Sequence, residues 1–114
     1  MDVSDTSLLA EFNPRHQGER GFLFMKKQAH VYYSGHVQGI GFRYALVGIA
    51  NSQKVQGWVR NLDDGRVEVA AEAKEEDVNS FLRLVDQEFS RQIKEAMIEW
   101  LPATGVFRDL RVEF

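Results

Sequence analysis

The 114-residue sequence has no cysteine. Disulfides, thiolate catalysis and cysteine-ligated metal are therefore excluded, and the composition fits a reducing cytoplasm. It has no apolar run near the roughly 20 residues that cross a bilayer. It has no basic excess either: 14 Lys and Arg face 17 Asp and Glu, for a net charge of -3. That balance speaks against broad binding to nucleic acid or an anionic membrane, which normally needs a basic face. A few local donors can still hold one small anion. No secretory pattern opens the chain. Its first charges are acidic (Asp2, Asp5), and the patch Gly21-Phe22-Leu23-Phe24-Met25 precedes Lys26-Lys27 instead of following a basic segment. No His, Asp and Glu cluster has metal-ligand spacing, so neither a metal nor a cofactor is expected.

What is present suits one soluble domain. Hydrophobic residues make up 44%, charged residues 27%, and 8 Phe, 2 Trp and 3 Tyr supply bulk for a core. Residues 1–25 carry Asn13-Pro14, Gly18 and Gly21 without a sustained period, and read as a flexible N-terminal extension. Met25 fits a natural start, with the upstream part dispensable; a short docking helix through Leu8, Leu9 and Phe12 is the alternative. The domain is expected over 26–114.

From Ala29 the pattern is regular. His30-Val31-Tyr32-Tyr33-Ser34 reads as a strand. Gly35 to Gly41 forms a loop with three glycines. Phe42, Ala45, Leu46, Ile49 and Ala50 then fall on one helical stripe. Trp58-Val59-Arg60-Asn61 reads as a strand, Asp63-Asp64-Gly65 as a hairpin turn, and Arg66-Val67-Glu68-Val69 as the returning strand. Glu75-Glu76-Asp77 opens a second helix with Val78, Phe81, Leu82, Val85 and Phe89 on one side. Ala96–Trp100 and Leu110–Phe114 read as two last strands. The order β-α-β-β-α-β plus a C-terminal strand predicts an α+β, ferredoxin-like α/β sandwich. Its sheet is expected to be antiparallel, with two helices on one face.

The first strand-to-helix junction carries the chemistry. A glycine-rich loop feeding a helix N-terminus points several backbone N–H groups in one direction and favours an anion. Gly35, Gly39 and Gly41 permit positive φ and close approach of backbone to a ligand. Arg43 follows in the first helical turn, where a cation opposes the helix dipole. Its fork of N–H donors instead suits a phosphoryl group in the loop. Tight packing alone also explains such glycines, and a solvated surface role also explains such an arginine. The loop is neither G-x-x-x-x-G-K-[ST] nor G-x-G-x-x-G.

Two segments carry a resemblance. Gly35-His36-Val37-Gln38-Gly39-Ile40-Gly41-Phe42-Arg43 closely resembles the signature G-x-V-Q-G-V-x-[FY]-R of the acylphosphatase family. Gly57-Trp58-Val59-Arg60-Asn61-Leu62-Asp63-Asp64-Gly65-Arg66-Val67-Glu68 resembles its second signature, G-[FYW]-[AVC]-[KRQAM]-N-x-x-x-G-x-V-E. The order and separation are those of the family, and the similarity spans roughly 27–114. The resemblance implies the same sandwich and the hydrolysis of acyl phosphates to carboxylate and inorganic phosphate. It puts the catalytic arginine on Arg43 and the catalytic asparagine on Asn61. The phosphate-cradling segment falls on His36, Val37, Gln38, Gly39, Ile40 and Gly41, with His36 facing solvent.

The sequence departs from the family in three places. Leu46 stands where a Thr or Ser is common, which removes a hydrogen bond supporting the asparagine. Gln53-Lys54-Val55 replaces Leu-Gly-Leu, and Ala73-Lys74 replaces a Gly-Pro-like turn. The expected partners are a small acyl phosphate and inorganic phosphate, with no nucleic acid, no membrane and a monomeric, cytoplasmic protein. A non-catalytic phosphate-binding module of the same fold is the alternative.

Overall fold

The structure, a computed structural model, describes residues 26–114. The extension over 1–25, the start at Met25 and the helix through Leu8, Leu9 and Phe12 lie outside the described residues. Seven elements follow one another: β1 (Lys26–Gly35), α1 (Phe42–Gln53), β2 (Gln56–Asn61), β3 (Val67–Lys74), α2 (Glu75–Glu88), β4 (Ile93–Pro102) and β5 (Leu110–Glu113). The strands form one sheet in the order β4-β1-β3-β2-β5.

Strands β1, β2, β3 and β4 pair antiparallel as expected. The last pair differs, because β5 runs parallel to β2 and the sheet is mixed. The reason is the path of the chain. Pro102 ends β4 opposite Lys27, where β1 begins, and Leu110 starts β5 opposite Gly57, near the start of β2. The connection thus crosses the sheet from one edge to the other at one end. Eight Cα steps reach roughly 26–29 Å, and four strand spacings need roughly 19 Å. Nothing is left to travel the length of the sheet, so β5 must run with β2.

Alternation decides which side of each strand meets the helices. Ala29, Val31 and Tyr33 of β1, Val59 of β2, and Val67, Val69, Ala71 and Ala73 of β3 are buried with Phe42, Leu46 and Ala50 of α1 and Val78, Phe81, Leu82 and Val85 of α2. Both apolar stripes read from the sequence therefore face one core, except that Ala45 does not join it while Val47 packs against it. β3 extends past Val69 to Lys74 because Ala70-Ala71-Glu72-Ala73 is buried on both faces and shows no alternation. β3 passes directly into α2 at Lys74, so the position of the missing Gly-Pro-like turn is no turn at all.

The missing glycine cap has a visible consequence. Lys54 adopts φ 61° and ψ 38°, the left-handed conformation that closes α1. The Val55 N–H donates to the Ala50 carbonyl at 2.9 Å. A side chain there costs about 1–2 kcal/mol, and glycine loses about 0.5–1 kcal/mol of entropy on folding. Lys54→Gly is expected to stabilise the fold by about 0.5–1 kcal/mol in urea unfolding.

A buried carboxylate holds the start of the crossing connection. Glu72 is only 2% exposed. It accepts hydrogen bonds from Gln28 Nε2 at 3.0 Å, the Thr104 N–H at 2.9 Å and the Gly105 N–H at 2.6 Å. Burial alone would push this carboxyl up; the donors of Thr104, Gln28 and Gly105 outweigh burial and hold it below the ordinary 4.5. A depressed folded value makes its stabilisation present above about pH 4.5 and lost as pH falls through the folded value. Glu72→Ala should cost about 2–3 kcal/mol near pH 7, with the gap to wild type narrowing in acid. Urea unfolding of both proteins at several pH values measures this.

Candidate active site

The glycine loop is shaped by its two ends. At Gly35, φ 122° lies in a region that L side chains rarely adopt, and an added Cβ would sit 2.3 Å from the Gln92 carbonyl oxygen. His36 N–H donates to that same oxygen at 2.8 Å. The chain thus leaves β1 pressed against the α2–β4 connection. At the other end Gly41 caps α1 with φ 81° and ψ 13°, and among the described residues no side chain caps the first helical N–H groups. The first turn contains no acid. Free N–H groups and an unopposed dipole therefore face the loop.

The residues of the loop divide by burial. Val37 is buried in the core and Ile40 packs against it, so these two anchor the loop. His36, Gly39 and Gly41 are exposed. Phe42 fixes the helix start: its ring meets Tyr33 edge-on at 5.4 Å and Phe89 at 4.8 Å. Those contacts tie the first turn to β1 and to the end of α2, and so set where Arg43 begins.

Arg43 lies one residue further, half-buried. No carboxylate among the described residues pairs with it. Its guanidinium stacks 5.2 Å from the Phe114 ring and 5.9 Å from the Tyr44 ring. Phe114 follows Glu113, which pairs with Arg60, so Phe114 and Asn61 leave adjacent strands at the same end of the sheet. Arg43 and Asn61 are thereby brought to one region from α1 and β2.

Asn61 is the last residue of β2 and pairs with Val67. Its Oδ1 is buried and has no hydrogen-bond partner among the described residues. Leu46 is wholly buried in the core. The hairpin beyond is tightly closed: Leu62 N–H donates to the Arg66 carbonyl at 2.8 Å, and Arg66 Nε to Asp64 Oδ2 at 2.8 Å. Arg66, chiefly through its backbone N–H, holds the exposed Asp64 carboxyl below its ordinary value.

Gln38 behaves differently from its neighbours. Its side chain leaves the loop and donates through Nε2 to the Leu62 carbonyl at 2.8 Å and the Arg66 carbonyl at 2.9 Å. The loop is thus bonded to the residue after Asn61. Neither this tie nor the stacking of Phe114 was legible in the sequence. A glutamine inside a glycine loop gives no hint of its acceptor, and Phe114 reads only as the end of a strand.

Among the described residues no group of three His, Asp or Glu is placed to hold a metal ion, and no helix is long and apolar enough to cross a membrane. A groove of about 470 Å³ lined in part by Lys26, Lys54 and Lys74 opens at the other end of β1 and contains neither Arg43 nor Asn61.

Comparison with known proteins decides the family. The acylphosphatase family model matches residues 29–112, most of the chain. The chain belongs to the acylphosphatase family. It is an acylphosphatase enzyme, similar to relatives and structures that bear that name. One is acylphosphatase from Bacillus pumilus, 37% identical over 86 residues, covering 74% of this chain and 94% of that one. The crystal structure of acylphosphatase from Bacillus subtilis superposes with a TM-score of 0.72 at 31% identity, covering 77% of this chain and 99% of the other. That of an acylphosphatase from Coxiella burnetii gives 0.71 at 25% identity, covering 79% and 95%. The sandwich described here, with its mixed sheet, is thus an acylphosphatase-type fold.

Proposed function

We propose that the protein hydrolyses acyl phosphates, with Arg43 and the 37–41 backbone binding the phosphoryl group and Asn61 directing the attacking water. Family membership supports acyl-phosphate hydrolysis in general. The observation that carries the phosphoryl-binding role is Arg43, which pairs with no described carboxylate and stands at a helix start with no acid in its first turn. The role of Asn61 in directing water rests on its place in the second signature; its Oδ1 is buried without a partner among the described residues. Such a group costs about 1–3 kcal/mol, and unmet polar groups in a native fold call for a functional account.

The chemistry needs little else. Backbone N–H groups of Val37 to Gly41, the uncapped start of α1 and the Arg43 fork receive the three phosphoryl oxygens; the sequence also offered His36, but its N–H is taken by the Gln92 carbonyl. Water held by Asn61 attacks phosphorus opposite the acyl oxygen. A P–O bond forms, and the P–O bond to the acyl group breaks with its electron pair leaving on the carboxylate. The water's protons end on inorganic phosphate. The carboxylate is a good leaving group, so position and charge stabilisation suffice without cofactor, general base or covalent intermediate. The exposed His36 is left outside the chemistry. The same reading takes the protein as a cytoplasmic monomer that binds no nucleic acid.

Hydrolysis of benzoyl phosphate by the purified protein tests the proposal; absence of turnover on any acyl phosphate overturns it.

A further inference from the structure

We propose that Gln38 is a positioning residue that sets the distance between the phosphoryl cradle and Asn61. The proposal rests on the reading above, in which the two act on one substrate. The cradle and the asparagine belong to different parts of the fold. The loop hangs between β1 and α1, whereas Asn61 ends β2, separated from β1 in the sheet by β3. Backbone pairing does not join them directly. The side chain of Gln38 does, through two hydrogen bonds of 2.8 and 2.9 Å over sequence separations of 24 and 28 residues.

The choice of side chain is specific. A primary amide nitrogen has two N–H donors, and both are used on two carbonyls. Those carbonyls already serve the hairpin: the Arg66 oxygen accepts from Leu62 N–H at 2.8 Å, and the Leu62 oxygen from Gly65 N–H at 3.2 Å. The tie therefore grips a closed turn one residue from Asn61. Displacing that turn by about 1 Å would misalign water and phosphorus and cost on the order of 10²-fold in rate. Phosphate binding needs only the loop and Arg43, so it would be spared.

Two variants and wild type test this with benzoyl phosphate as substrate and inorganic phosphate as competitor. Gln38→Met keeps the length and removes both donors. Gln38→Glu replaces them by a carboxylate facing two carbonyls, which repels when ionised and donates one hydrogen bond when protonated. Both are expected to lose about 10²-fold in kcat near pH 7, with phosphate inhibition within about threefold of wild type. As pH falls towards about 5, the Glu variant should recover at least tenfold relative to wild type while the Met variant stays flat. The ratio to wild type cancels titration of His36, Asp63 and Asp64, which all three proteins share. Melting curves verify folding. A Met variant with wild-type kcat overturns the proposal. So does a Glu variant that folds yet shows the flat profile of the Met variant, or loss of phosphate affinity in step with kcat. Failure of wild type to turn over would sink the hydrolase reading instead.

Discussion

Arg43→Ala is expected to abolish measurable hydrolysis of benzoyl phosphate while leaving the fold intact. A guanidinium that stabilises charge on a transferring phosphoryl group contributes on the order of 10³–10⁵ in rate. Here it is joined by the free N–H groups at the start of α1, which has no acid in its first turn and no side-chain cap. Those remaining donors would hold phosphate weakly without the fork, so the variant should also lose the thermal protection that inorganic phosphate gives wild type. Stability should barely change, and the reasons oppose one another. A cation at a helix N-terminus costs about 0.3–1 kcal/mol. Its stacking on Phe114 at 5.2 Å and near Tyr44 returns about 0.5–1 kcal/mol. Arg43→Lys keeps the charge without the planar fork and should recover only a small part of the rate. A folded Arg43→Ala protein with more than a tenth of wild-type kcat/KM would remove Arg43 from the mechanism.

That residue also marks how much could be read from the sequence. Arg43 breaks a local rule, a cation where the dipole disfavours one, and a glycine loop precedes it. Both signals are local, so both were legible. The helices were legible for the same reason, since Phe42, Leu46 and Ala50, and Val78, Phe81, Leu82 and Val85, recur at helical spacing and are buried. β3 was legible only in its first half. Val67 and Val69 alternate with polar neighbours, but Glu72 looks like a surface residue until Thr104 and Gly105 fold onto it.

What escaped was set by long-range geometry. The parallel pairing of β5 follows from the length and path of residues 103–109, not from the pattern of Leu110–Glu113, which suits either direction. Gln38 falls inside the first signature, so the sequence put it among phosphate-binding residues. Its backbone keeps that place in the loop. Its side chain turns to Leu62 and Arg66, far along the chain, and nothing local announces that. Asn61 is intermediate. Its residue type before Asp63-Asp64-Gly65 suggests a turn, and only the family motif pointed elsewhere. The unpartnered Oδ1 adds a structural argument that the motif could not supply.

Asn61→Ala is accordingly expected to separate turnover from binding. Loss of the group that aims the nucleophile should lower kcat by about 10²–10³-fold. KM and inhibition by phosphate should stay within about threefold, because the cradle and Arg43 keep their donors. The fold should be no less stable, and up to about 1 kcal/mol more so, since the substitution deletes an acceptor buried without a partner. This is the opposite of what a structural asparagine would do, for its removal would lower stability and leave kcat per folded molecule unchanged. Asn61→Asp makes the distinction sharper. It keeps the shape but sets a negative charge near a phosphoryl dianion, so it should lose phosphate affinity as well as turnover. Steady-state kinetics, phosphate inhibition and urea unfolding on the two variants measure all of this. Equal losses of kcat and phosphate affinity in Asn61→Ala would place the residue in binding and not in the orientation of water.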